Sequence, residues 1–152
     1  MTHTSCPTAV VNAPVECVWA LLIEPAGWGT FFDVRIKSIT PAGPAAVGQR
    51  ILCETGPRIL HLKLGAIDAA CHRLGLAVQL PFRITVAEDL QCVAIASDSC
   101  RISYHCDFSF PQGWRGALAR MALWRKLHSG PVDSLYRLKH AAERRYASLK
   151  AA

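Results

Sequence analysis

The sequence lacks an apolar segment long enough to cross a membrane. Its longest uninterrupted apolar run is residues 17–23, whereas a spanning helix needs about 20 residues. No basic segment followed by an apolar stretch and a cleavage site opens the chain, so we expect no signal peptide. These absences predict a cytoplasmic protein without a transmembrane segment. At 152 residues, one domain over residues 1–152 is expected.

Cysteine pairs with metal-binding or redox spacing are also missing. The chain has seven cysteines, an odd number, and no two of them are spaced as C-x-x-C. No Cys/His pairing repeats with the spacing of zinc ligands. We therefore predict no metal site and no cofactor, and reduced, mostly buried cysteines.

Acidic residues are scarce, and most of the excess positive charge lies near the C-terminus. The net charge is +6, from 17 Lys and Arg against 11 Asp and Glu. Nine basic residues follow Gly113, where only Asp133 and Glu143 oppose them. No RNA-binding or helix-turn-helix pattern accompanies them, so no nucleic-acid partner is predicted. A solvated helix face is the favoured interpretation, and transient contact with an anionic membrane surface stays open.

Helix signals stand at both ends of the chain. Pro14 suits the start of a first helix that ends before Pro25, and a short second helix or tight loop follows over 27–32. Near the C-terminus we predict one helix over 114–128. Gly130 and Pro131 then separate it from a long amphipathic helix that runs from Pro131 to about Lys150.

Strand patterns fill the middle of the chain. Residues 101–110 alternate apolar and polar side chains, the pattern of a half-buried antiparallel strand. Earlier strands are predicted at 34–40, 48–55, 58–64, 82–88 and 91–96. We expect the last two of these to pair across a tight turn at Asp89 and Leu90. The conformation of segment 65–81 is left undecided between helix and strand.

Several weak motifs in a specific order resemble one superfamily. They are Val11-x-Ala13-Pro14-x-x-x-Val18-Trp19, Trp28, Ile36-Lys37-Ser38-Ile39, Val47-Gly48, Cys100-Arg101-Ile102 and Leu135-x-x-Leu138-Lys139-x-x-x-Glu143. In this order the chain resembles the START-like, or SRPBCC, superfamily of polyketide cyclase/dehydrase and lipid-transport type. The resemblance implies an α+β helix-grip fold, in which a curved seven-stranded antiparallel sheet surrounds a long C-terminal helix. It also implies an elongated, mainly apolar cavity between sheet and helix.

Candidate ligand-binding residues come from inward strand positions and the apolar stripe of the last helix. They are Trp28, Phe31, Phe32, Tyr104, Cys106, Phe108, Trp124, Leu135 and Tyr136, with the two tryptophans near the rim. Tyr104 could donate a hydrogen bond to a ligand carbonyl. Arg83 could pair with a ligand carboxylate. His105 falls on the polar face of its strand and is expected in solvent.

Three functions remain open from the sequence. The favoured hypothesis is binding of a hydrophobic small molecule such as a lipid, a sterol-like compound or an aromatic polyketide. A cyclase, aromatase or dehydratase would need an ionisable side chain deep in the same cavity. Glu54 and His61 are the nearest candidate pair, but the strand alternation turns Glu54 away from the apolar face. The third hypothesis is an interaction protein that docks on a membrane surface or an acidic partner through its basic helices. Catalytic residues, ligand identity, pathway and oligomeric state stay unassigned.

Overall fold

The computed structural model describes residues 2–152. Its strands are β1 (Thr2–Ser5), β2 (Thr8–Val11), β3 (Arg35–Thr40), β4 (Arg50–Thr55), β5 (Arg58–Asp68), β6 (Arg73–Leu80), β7 (Ile84–Ala96) and β8 (Ser99–Ser109). The α-helices are α1 (Val15–Leu22) and α2 (Trp114–Ala151), and short 3₁₀ helices cover Pro25–Thr30 and Pro81–Arg83. An antiparallel sheet and a long C-terminal helix therefore form the α+β architecture predicted from the sequence.

The strands form one antiparallel sheet in the order β1-β8-β7-β6-β5-β4-β3, and β2 also pairs with β8. The described chain thus has eight strands instead of the seven predicted. The first strand is broken at Cys6 and Pro7, because proline has no N–H to donate to a neighbouring strand. β1 and β2 pair with consecutive stretches of the same edge of β8, β1 with residues 106–109 and β2 with residues 100–103. The sheet is therefore seven strands wide.

Helix α2 is continuous from Trp114 to Ala151, so the predicted separation into two helices at Gly130 and Pro131 is wrong. Pro131 lacks the N–H that would donate to the carbonyl of Leu127, which costs about 3 kcal/mol in a helix interior. Pro131, Leu135 and Leu138 are buried on the side of the core. Burial contributes about 1.5–3 kcal/mol per large apolar side chain, so packing outweighs the missing hydrogen bond.

Strand β7 is also continuous, and the predicted turn at Asp89 and Leu90 is wrong. The strand pairs with β8 from Thr85 opposite Ser109 to Ala96 opposite Ser99. Leu90 is fully buried, and Asp89 forms an ion pair with Arg73 of the adjacent strand on the other face. The alternation of core and surface positions therefore continues through this dipeptide.

The undecided segment 65–81 is a strand hairpin followed by a 3₁₀ turn. β5 extends to Asp68 and β6 begins at Arg73. Asp68 Oδ1 accepts hydrogen bonds from the backbone N–H groups of Ala70 (3.0 Å) and Cys71 (3.1 Å). Asp68 thus supplies the hydrogen-bond acceptor for two backbone N–H groups of the turn, which is a common role of aspartate.

The core lies between the inward face of the sheet, α1 and α2. Backbone N–H of Asn12 donates to Glu143 Oε1 at 3.0 Å, which ties the end of β2 to α2. Five of the seven cysteines are buried and all seven are free thiols. Burial raises the pKa of the Cys53 thiol to about 11, so this group stays protonated near neutral pH. Within residues 2–152, no helix combines the length and apolarity needed to cross a membrane.

Candidate ligand cavity

A cavity with two connected chambers lies between the inward face of the sheet and α2. The larger one, which we call the outer chamber because it adjoins the turn at Pro81–Arg83, has a volume of about 250 Å³. The smaller one, which we call the inner chamber, has a volume of about 160 Å³. Side chains that line both chambers are Asp33, Thr55, Leu60, Val78, Glu88, Tyr104 and Ser134. Together the two chambers enclose about 410 Å³, at the lower end of the roughly 300–1,000 Å³ of a site for drug-sized ligands, which favours a small guest.

The inner chamber has mainly apolar walls. Trp28 and Phe32 form one side, with their rings edge-to-face at 5.7 Å. Trp28 is held in place because its Nε1–H donates to the carbonyl of Leu22 at 3.1 Å. Leu62 and Leu76 from β5 and β6 form the opposite wall. A ring-sized apolar group would meet aromatic and aliphatic carbon on these sides.

Glu88 is a carboxylate on the inward face of β7. In the sheet register it lies between Leu76 of β6 and Cys106 of β8. The hydroxyl of Tyr104 donates a hydrogen bond to Glu88 Oε2 at 2.7 Å. Both side chains line both chambers. The chambers therefore meet at a carboxyl–phenol pair.

Burial dominates the electrostatics of this pair. It raises the pKa of Glu88 from 4.5 to about 7, and the hydrogen bond from Tyr104 lowers that pKa by a smaller amount. Burial, followed by the charge of Glu88, raises the pKa of Tyr104 well above 10. Glu88 is partly accessible from the cavity, but the surrounding protein still removes most of its hydration. Near neutral pH, Glu88 can therefore accept or release a proton beside a phenol that stays protonated.

The mouth of the outer chamber combines cations with exposed apolar groups. Arg58 and Lys126 line it, together with Phe82. The backbone of Phe82 has a φ of 64° and that of Arg83 a φ of 59°, in the left-handed region that disfavours bulky residues. Asp33 also lines the chamber, but its carboxylate lies 3.7 Å from the guanidinium of Arg137.

Solved structures share this architecture across nearly the whole chain. The aromatase/cyclase ZhuI from Streptomyces sp. R1128 superposes with a TM-score of 0.76 and 16% identity, over 95% of this chain and 96% of that one. Norcoclaurine synthase from Thalictrum flavum, in complex with dopamine and hydroxybenzaldehyde, gives 0.71 and 14%, over 100% and 89%. A hypothetical protein from Helicobacter pylori gives 0.74 and 13%, over 92% and 88%. The chain has the helix-grip fold.

Comparison with family models and with curated proteins does not identify the fold. No protein-family model matches the chain, and no curated protein matches it. At 13–16% identity the likeness to solved structures establishes the helix-grip fold and nothing finer. The fold persists because a strand register and an apolar stripe tolerate many sequences as long as burial and volume are kept.

Four of the nine predicted ligand-binding residues line the cavity of this helix-grip fold. Trp28 and Phe32 lie on the inner chamber, Phe108 on the outer one, and Tyr104 on both. Their contact with a ligand remains a prediction, since position on the wall does not identify a guest.

The other five do not line either chamber, and their contact with a ligand also stays a prediction. Phe31, Cys106 and Leu135 are buried in the core. Trp124 packs against His3 at 4.8 Å and Phe108 at 6.3 Å between ring centroids. Tyr136 is 61% exposed and contacts His140. Successive helix positions differ by about 100°, so Tyr136 faces outward once Leu135 faces the core.

Apart from Tyr104, the polar candidates named from the sequence, which are Glu54, His61, Arg83 and His105, do not line either chamber. Glu54 pairs with Lys37 Nζ at 3.0 Å on the outer face of the sheet, and His61 is exposed on that face. His105 pairs with Asp107 at 3.1 Å. These placements follow the strand alternation, which had already turned Glu54 away from the apolar face.

Sequence reasoning missed Glu88, because it ended a strand there and placed a turn immediately afterwards. The signal that identifies this residue is the inward series Ile84, Val86, Glu88, Leu90 and Cys92. A carboxylate at an inward position of an otherwise apolar alternation indicates a functional group facing a cavity.

Proposed function

We propose that the protein binds a small hydrophobic molecule carrying a polar group in the two-chambered cavity. The observation that supports this proposal is the hydrogen-bonded pair of Glu88 and Tyr104 on a largely apolar wall. Small-molecule sites commonly combine apolar walls with a few fixed polar groups that orient the ligand. Here the pair can offer a hydrogen-bond acceptor and, when Glu88 is protonated, a donor to the same guest.

The chamber volumes favour an aromatic or short-chain guest over a sterol or a long lipid. A structure of norcoclaurine synthase, which shares the fold, contains dopamine and hydroxybenzaldehyde, both one-ring compounds. Trp28 and Phe32 would contact one face of such a ring in the inner chamber. The polar substituent would then reach Glu88 and Tyr104 at the junction.

Filling the cavity tests this proposal. Ser134 lies on α2 and lines both chambers, so Ser134→Phe should occupy guest space from the helix side. The neutral fluorescent amine N-phenyl-1-naphthylamine serves as the aromatic probe. We expect it to bind the wild type and Ser134→Ala, and to raise their melting temperature by mass action. Ser134→Phe should abolish both effects. Unchanged binding by Ser134→Phe, or no binding by any variant, would contradict the proposal.

A second candidate function is acid–base catalysis in the same cavity. The specific observation is that burial raises the pKa of Glu88 to about 7, beside the Tyr104 hydroxyl. A carboxylate of this kind can remove a proton from a carbon next to a carbonyl. The Tyr104 hydroxyl, which donates to Glu88 in the empty cavity, would turn to the substrate to stabilise the oxygen that gains charge. The likeness to an aromatase/cyclase supports this candidate, since cyclisation needs such proton transfers.

The ring-opening of 5-nitrobenzisoxazole offers a general assay for a buried carboxylate base. The base takes the ring C–H proton, the N–O bond breaks and a cyanophenolate is released. We expect the rate to rise with pH, to be half-maximal near pH 7 and to level off above about pH 8, because the ionised form of Glu88 is the base. Glu88→Gln should remove the catalysed rate, whereas Glu54→Gln on the outer face should keep it. Equal rates in these two variants would exclude Glu88 as the base.

A further inference from the structure

A groove lies just outside the cavity, between the turn at Pro81–Arg83 and the first turns of α2. Three arginines line it, Arg58, Arg83 and Arg115, and no aspartate or glutamate does. Its apolar surface comes from Phe82, Trp114 and Leu118. A concave apolar surface that carries charge of one sign favours a ligand of the opposite sign.

The charges of this groove have little internal compensation. Within residues 2–152, no ion pair engages Arg58, Arg83 or Arg115. The Arg115 guanidinium lies over the Trp114 ring, 5.4 Å from its centroid. Helix α2 begins here without an acidic residue in its first turn and without a side-chain cap. The positive end of the helix dipole therefore adds to the arginines.

Groove and cavity are continuous. Arg58, Phe82 and Leu123 line both the groove and the outer chamber. A molecule whose body lies in the cavity could thus extend past Phe82 and place its other end among the arginines. Phe82 is 69% exposed at a positive φ. The fold holds this aromatic ring at the junction despite an unfavourable backbone conformation.

We propose that the groove is an anion-binding vestibule of the cavity, and that the ligand is an amphipathic anion with an apolar body and a carboxylate, sulfonate or phosphate group. The vestibule presupposes the cavity binding proposed above. Arginine suits this role because its planar guanidinium can donate two parallel hydrogen bonds to such groups. The orientation follows from charge: arginines line the groove, and Glu88 repels an anion inside the cavity when it is ionised, so the anionic group points outward.

Two fluorescent probes that differ in one charged group test the vestibule. 1-Anilinonaphthalene-8-sulfonate is N-phenyl-1-naphthylamine with an added sulfonate. The test variant is Arg83→Gln/Arg115→Gln, which keeps Arg58 because that residue also lines the outer chamber. The matched control, Arg144→Gln/Arg145→Gln, removes the same charge elsewhere. Arg144 and Arg145 are exposed, and Arg145 lies about 45 Å along α2 from Arg115, at 1.5 Å per residue.

We expect the test variant to raise the Kd of the sulfonate probe about tenfold or more and to leave the Kd of the neutral probe unchanged. The control variant should bind both probes like the wild type. Equal weakening of both probes, or an effect on the sulfonate probe that the control reproduces, would overturn the vestibule. That result would leave the cavity proposal standing if Ser134→Phe still blocks the neutral probe.

The anionic group could belong to a free metabolite or to a lipid headgroup, and co-sedimentation distinguishes them. The vesicles are made of phosphatidylcholine with or without phosphatidylglycerol. Retention on the anionic vesicles that the test variant loses supports the headgroup. Absence of retention, together with the expected shift for the sulfonate probe, supports a free amphipathic anion. Retention that the control variant loses equally, without a probe-specific shift, argues against a vestibule.

Discussion

Tyr104 donates its phenolic hydrogen to Glu88 Oε2 at 2.7 Å, although the two residues are not directly opposite in the sheet. Glu88 faces Cys106 and Tyr104 faces Leu90, so the pair is diagonal across β7 and β8. Diagonal neighbours remain within reach of long side chains. The inward position of Glu88 on β7 puts an ionisable side chain on the cavity wall, whereas the sequence offered no convincing one for an enzyme.

Stability should fall as the pH rises through the titration range of Glu88. Its pKa is about 7 in the folded protein against 4.5 unperturbed, so the folded state holds the extra proton between these values. Folding is therefore favoured at about pH 5, and the free energy of unfolding falls by about 2.5 kcal/mol by about pH 8. Glu88→Gln should remove this dependence, and Glu54→Gln should keep it. Urea denaturation at both pH values measures the difference. A wild type with equal stability at both would contradict the raised pKa.

Tyr104→Phe should raise the pKa of Glu88 further. The hydrogen bond from Tyr104 lowers that pKa because it stabilises the charged carboxylate. We expect a loss of about 1–3 kcal/mol at a pH where Glu88 is ionised, and a smaller loss where it is protonated. NMR titration of ¹³C-labelled glutamate reads the pKa directly. Tyr136→Phe removes an exposed hydroxyl from α2 and should change neither quantity. An unchanged Glu88 pKa in Tyr104→Phe would show that the hydrogen bond does not hold in solution.

Gly116→Ala should destabilise the start of α2. A Cβ at this position would lie 1.8 Å from the carbonyl oxygen of Pro111, so the backbone must move. Such overpacking costs about 1–3 kcal/mol. Gly130→Ala in the same helix meets no atom within 4 Å. It should be close to neutral, because the gain in helix propensity is opposed by the restriction on a residue before proline. Thermal denaturation compares the two, and similar melting temperatures would contradict the close contact.

Gln49→Leu should loosen the loop over residues 41–46. The buried amide of Gln49 donates to the carbonyls of Pro41 (2.8 Å), Gly43 (3.2 Å) and Pro44 (3.2 Å). Leucine keeps a similar volume but leaves these acceptors without a partner, which costs about 2 kcal/mol. Hydrogen exchange in this loop should rise, whereas Gln91→Leu on the outer face of β7 should leave it unchanged. Protection retained in Gln49→Leu would mean that other contacts hold the loop.

The sequence supported most of the local structure because its signals are short-range. The alternation over 101–110 correctly predicted β8, and the same rule placed Glu54 on the outer face. Errors arose where a residue with an intrinsic preference for turns or helix breaks lies within a packed element. Asp89 within β7 and Pro131 within α2 both depart from local preference, and neighbouring buried side chains outweigh it.

The sequence by itself determined the α+β class, the order of elements and the helix-grip resemblance, because periodicity and turn residues act over a few neighbours. Tertiary structure alone decided which apolar side chains face empty space and which fill the core. Phe31 and Phe32 differ by one position, yet only Phe32 lines the cavity. Tertiary structure also decided that Glu88 meets Tyr104. That contact depends on the register between two strands, which is set by the burial of whole strand faces and not by either residue alone.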